Sequence, residues 1–167
     1  MTGRLWFPQL DVYDSVRRIG GLLSEWAVDP PSPERLFVAD FYLANPPLLH
    51  KTHMSRPVRS LFGLLGVERP EKSFVSYPSA PLLFHKMEEV QRLALRTITG
   101  KGLIDIELLE RGIVRPSEAG AQLFDKQLAS LLGGSERTLA RFIVQHFIPS
   151  YADIGDLRRS TGLRRAI

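Results

Sequence analysis

The sequence predicts a mainly α protein with one small β-hairpin, an α+β chain of winged-helix-like type, and three observations carry that prediction. Leu82, Leu83, Phe84, Met87, Val90, Ala94, Leu95 and Ile98 recur at three- and four-residue steps, so they line one side of a long helix ending near Gly100-Lys101-Gly102. Leu103-Ile104-Asp105-Ile106-Glu107 and Gly112-Ile113-Val114-Arg115 have the composition of two short strands turning through Glu110-Arg111-Gly112. Pro116-Ser117-Glu118 then restarts a helix with Ala121, Leu123, Phe124 and Leu128 on its buried side.

The remaining elements follow in chain order. Asp11 or Asp14 can begin a helix whose Val12, Val16, Ile19, Leu23 and Trp26 share a face, with Gly20-Gly21 as a weak spot costing roughly 1 kcal/mol per glycine against alanine. Asp29-Pro30-Pro31 ends it. Ser32-Pro33-Glu34 is a start signal: a hydroxyl for the open backbone N–H groups, a proline where its missing donor costs nothing, and a carboxylate favoured by the helix dipole. Leu36, Phe37, Ala39, Asp40, Phe41, Tyr42 and Leu43 follow, apolar round most of the helix, which must stop by Asn45-Pro46-Pro47. Ser55-Arg56-Pro57 begins a short helix closed by Gly66, and Ser73 to Tyr77 has the composition of one strand between Pro70 and Pro78. After Gly133-Gly134 a helix capped at Ser135 carries Leu139, Phe142, Ile143 and Phe147. These signals divide the chain into a helical unit over 1–66, a winged-helix-like unit with C-terminal helices over 81–150, and a basic, mobile tail over 151–167.

Composition limits the function classes. With 167 residues, 44% of them hydrophobic, the chain can bury a sizeable core. No run approaches the roughly 18 apolar residues that span a bilayer, and Met1-Thr2-Gly3-Arg4-Leu5 opens no export signal, so the chain is expected in the cytoplasm and away from membranes. Cysteine is absent, which excludes disulfides, thiolate metal sites and cysteine nucleophiles. Charge is uneven: residues 1–50 hold four basic and six acidic side chains, residues 51–116 eleven and seven, and residues 117–167 seven and five. The basic excess sits around the expected wing and the tail, where it can meet phosphates or simply solvate a face.

Catalytic chemistry finds little support. His50 and His53 are spaced to share a metal on a helix, yet Pro46-Pro47 precedes them and no carboxylate-rich segment partners them. Glu88-Glu89 and Asp105-Ile106-Glu107 sit beside no hydrolase motif, and no Gly-rich loop ends in Lys-Ser or Lys-Thr. The expectation is a non-enzyme with no cofactor and no metal. Two groups stand out for binding instead. Arg92, Arg96, Lys101, Arg111 and Arg115 would make a basic strip for double-stranded DNA, weak and sequence-independent, if helix and hairpin pack as a winged helix. Leu5, Trp6, Phe7, Leu10 and Tyr13 form a dense apolar and aromatic start that anchors the core or docks another chain.

Arg4-Leu5-Trp6-Phe7-Pro8-Gln9-Leu10-Asp11-Val12-Tyr13-Asp14, with Ser32-Pro33-Glu34-Arg35-Leu36 and Asp40-Phe41-Tyr42-Leu43, resembles the opening of the small middle components of bacterial ABC three-component systems. Gly112 to Gly120 is similar to the strand-to-helix exit of winged helices in general. Such middle components are encoded with an SMC/Rad50-like ATPase and a variable effector, as in Lamassu-type anti-phage defence. The resemblance therefore implies a non-catalytic accessory subunit that bridges or regulates the ATPase and an effector such as a nuclease. The alternative is a stand-alone winged-helix transcription regulator. It needs a readable recognition helix, and only Gly100 to Leu103 separates the long helix from the expected hairpin.

Overall fold

Asp11, Ser32, Asp105, Ser117 and Asp153 each accept a hydrogen bond from the backbone N–H three residues on, at 2.8–3.3 Å, and each marks the start of a helix. A cap of this kind is worth about 1 kcal/mol because it satisfies a donor that no helical carbonyl can reach. The computed structural model describes residues 7–26, 28–72 and 79–163. Among them run α1 (Val12–Glu25), α2 (Pro33–Ala44), α3 (Arg56–Leu64), α4 (Ala80–Gly100), α5 (Ile106–Glu110), α6 (Glu118–Leu131), α7 (Gly134–Phe142) and α8 (Ile154–Thr161), with short 3-10 turns at Pro8–Leu10, Pro46–Lys51, Pro70–Lys72 and Ile148–Ser150. Helix α7 continues into a π-helical turn, Ile143–Phe147. Pro149 explains the widening, since its nitrogen cannot donate to the carbonyl of Gln145 and its ring crowds that turn.

Helix α1 lies at the middle of the packing, against α2, α4, α6 and α7. Its Gly20-Gly21 pair is the reason α6 can approach. A Cβ on Gly21 would stand 2.4 Å from the Leu132 side chain, and one on Gly20 would stand 3.2 Å from the Phe124 ring. The glycines that weaken the helix locally thus permit its closest tertiary contact. Helix α2 is buried from Leu36 through Leu43, as its sequence predicts. Phe41 meets Tyr42 and Phe84 edge-on, Tyr42 meets Phe147, and Phe147 meets Tyr151, with ring centroids 5.0–5.5 Å apart. One hydrophobic cluster takes in residues from α1 through α8.

The winged-helix expectation is wrong: the fold is all-α, and no strand forms among the described residues. Where the first strand was expected, Leu103 and Ile104 are extended but Asp105 caps α5, so the alternation in Leu-Ile-Asp-Ile-Glu is one bend and one helical turn. Where a hairpin turn was expected, Gly112 closes α5 in the left-handed region at φ 78°, with Ile113 N–H donating to Leu108 O and Gly112 N–H to Leu109 O, both at 2.9 Å. Gly102 ends α4 in the same way at φ 75°, with Leu103 N–H bonded to Ile98 O and Gly102 N–H to Thr99 O. What remains of the hairpin is a single antiparallel bridge, Ile104 with Pro116. A proline there offers no N–H to extend a ladder. The strand expected over residues 73–77 lies outside the described residues.

Further positions depart from expectation: Ala121 and Leu123, placed on the buried side of α6, are exposed, and α7 is capped at Gly133 rather than at Ser135. Leu82, placed with the buried face of the long helix, is 47% exposed. Part of the expected loose tail is α8, which buries Leu157 and is followed by buried Leu163. Arg158 of α8 holds Glu34 of α2 in a two-pronged pair at 2.5–2.6 Å, and Ser160 O accepts from His53 N–H at 3.0 Å.

Candidate partner-binding surface

The charged groups separate into those that hold helices together and those that face solvent. Arg18 on α1 is almost wholly buried, with Nε 2.7 Å from Asp40 Oδ1 on α2 and Nη1 2.5 Å from Asp14 Oδ2. Asp40 Oδ2 also accepts from Gln91 Nε2 of α4 at 2.9 Å, and the same amide reaches Phe37 O at 3.0 Å. Burial works to lower the Arg18 pKa, but the attraction and hydrogen bonds of Asp40, helped by Asp14, outweigh it, so the guanidinium stays charged. Arg17 ties α1 to Leu131 O and, in a fork, to both oxygens of Glu136. Glu25 receives the Nε of Arg137 and of Arg141 from α7. These residues pin α1 against α2, α4, α6 and α7, and the sequence predicts an ion pair for none of them. Apart from Asp14, which sits three and four positions from Arg17 and Arg18, their side-chain partners lie 22 to 119 positions away, with no local pattern to betray them.

The cations expected to meet phosphate are all exposed. Arg92 and Arg96 stand one turn apart on α4, and Arg92 is paired with Glu88 at 2.6 Å. Lys101 caps the end of α4, Arg111 caps the end of α5, and Arg115 follows the left-handed turn. Arg96, Lys101, Arg111 and Arg115 form no ion pair among the described residues. The geometry does not place all five in one cavity. Arg92 and Arg96 line a trough of about 710 Å³ with Leu10, His85, Lys86, Glu88, Glu89 and Val90. A second hollow of about 490 Å³ shares those two arginines and is walled by Pro33, Phe37 and Leu95. Arg115 instead lines a cleft of about 580 Å³ beside Trp26, Pro30 and Asp125.

Of the aromatic start, Leu5 and Trp6 lie outside the described residues. Phe7 is 55% exposed, Leu10 41% and Tyr13 87%. Gln9 holds the segment down through Asn45, at 3.3 Å, while Leu10 forms one wall of the α4 trough. The structure therefore brings a residue from the expected docking segment onto the same face as two of the expected phosphate-binding arginines. Composition pointed to both groups and gave no hint that they meet.

Among the described residues no group of three His, Asp or Glu side chains is placed to hold a metal ion. His50 is engaged, its Nε2 lying 2.7 Å from Val67 O and its ring edge-on to Phe62. No helix among the described residues is long and apolar enough to cross a membrane.

No curated protein and no solved structure matches this chain. A family model matches residues 4–165, nearly the whole length, and on that match the chain belongs to the family described as ABC-three component (ABC-3C) system Middle Component 5.

Proposed function

We propose that this chain is the non-catalytic accessory subunit of its three-component system, bridging or regulating an SMC/Rad50-like ATPase and an effector such as a nuclease in Lamassu-type defence against phage or plasmids. The observation that carries the proposal is the family match over residues 4–165, because a middle component belongs with two further components. Exposed Phe7, Leu10 and Tyr13 supply apolar contact area for such a partner. The stand-alone regulator is not retained, since its wing is absent among the described residues.

The other two components, co-expressed with this chain, should co-purify with it through moderate salt. A chain that stays monodisperse and captures neither of them overturns the proposal. Weak duplex contact belongs to the same proposal and rests on exposed Lys101, Arg111 and Arg115. Reversing Arg111 and Arg115 to Glu should weaken that binding without unfolding the chain, and added salt should do the same by removing the gain from counterion release. Tight binding to one short duplex, unaffected by those reversals, would count against it.

A further inference from the structure

The solvent side of α4 carries an ordered pattern that its packing does not use. Leu82, Lys86, Glu89, Leu93 and Arg96 follow one another at steps of four, three, four and three, so they lie along one face of the helix. All five are exposed, Leu82 and Leu93 by nearly half of their surface. The opposite face, with Leu83, Met87, Ala94 and Ile98, is buried in the core. Leu82 and Leu93 stand three turns apart on this face, and each can add apolar contact area if a partner covers it. Beside the stripe runs the trough whose far wall is Leu10, giving the face a floor and a rim.

Charge says what fits. Lys86 and Arg96 form no ion pair among the described residues, Arg92 is held by Glu88, and Glu89 lies between the two cations along the face. A duplex backbone presents one negative charge per about 1.7 Å and cannot skip Glu89. A helix can, because it places one side chain at each of these steps. We infer that the α4 face docks an amphipathic helix of another protein, with apolar residues meeting Leu82, Leu93 and Leu10, carboxylates meeting Lys86 and Arg96, and a cation or neutral residue meeting Glu89. The inference deepens the accessory-subunit reading by assigning a surface and the chemistry of its occupant, and it can be tested without the other components.

The probe is a labelled alanine-based helical peptide carrying Leu, Glu, Lys, Leu and Glu at the spacing of the stripe, added to the full chain. Its control exchanges every Glu for Lys and every Lys for Glu. The matched peptide should bind about tenfold more tightly than the control, as three reversed exposed pairs require. In the doubly reversed K86E/R96E chain the order should invert, and Leu93→Asp should weaken both peptides while leaving the thermal midpoint within a few degrees. Equal binding of the two peptides, no binding, or no inversion overturns the inference. Displacement of the matched peptide by an equal concentration of a short duplex overturns it in favour of DNA, and a dimer of the chain abolished by Leu93→Asp overturns it in favour of self-association. Co-purification of the other components reports separately on the accessory role: if they bind wild type and K86E/R96E alike, the role stands and the surface falls.

Discussion

The junction of α1, α2 and α4 and the connection from Lys101 to Ser117 are held by opposite kinds of chemistry. At the junction, ionised and amide side chains from three helices close on one another inside the core: Arg18 with Asp14 and Asp40, and Gln91 with Asp40. Along the connection the main chain does nearly all of it, through two left-handed glycine caps, the bridge between Ile104 and Pro116, Asp105 N–H to Arg115 O, and Val114 N–H to Pro31 O at 2.8 Å. The first arrangement depends on which residues are present. The second depends on which residues are small, and the two should fail differently.

The largest effect is expected at the junction. Asp40→Ala leaves Arg18 buried with Asp14 as its one charge partner and Pro8 O as a longer acceptor, and removes one of the two acceptors of Gln91 Nε2, so stability should fall by about 3 kcal/mol. A chemical denaturation midpoint measures this, and a loss below about 1 kcal/mol would show that water relieves the stranded charge.

Where the connection meets α6, Gly120→Ala should cost about 1–3 kcal/mol, because its Cβ would come within 1.9 Å of the Leu103 carbonyl oxygen and only backbone movement can relieve that contact. Gly112→Ala meets no neighbour and carries only the strain of its left-handed φ, roughly 1 kcal/mol. If the two substitutions cost the same in parallel unfolding curves, close approach is not what fixes the start of α6.

The smallest effect is a pH dependence at the third set of contacts, where α8 and its approach dock. Tyr151 O–H donates to His53 O at 2.5 Å, and burial, with repulsion from Asp156, pushes its pKa up to about 12. Burial also raises the pKa of Tyr42, further still. An unfolded tyrosine titrates near about 10, so above that pH the unfolded chain releases its proton first. The stability these phenols contribute is complete below pH about 10 and is lost as pH rises toward about 12. Thermal midpoints across that window should decline, and Tyr151→Phe should decline less steeply. An unchanged slope in that variant would place the alkaline sensitivity elsewhere.

Much of the helical skeleton was legible in the chain itself. The caps at Asp11, Ser32 and Ser117, the all-round apolar run of α2 and the buried stripe of α4 are local signals, set by the hydrogen-bonding of a few neighbouring residues and by a 3.6-residue period. The false hairpin arose from the same kind of signal misweighed. Five residues of alternation are as compatible with a bend and a turn of helix as with a strand, and Gly112 serves a helix cap as well as a hairpin. Only the tertiary structure decided between them, because a strand needs a partner and Pro116 supplies a single bridge. It also decided that Gly20 and Gly21 are contact points, that Arg18 is a core residue, and that Leu10 shares a trough with Arg92 and Arg96. Each of these facts is a distance between residues far apart in sequence, and local propensity carries no information about such distances.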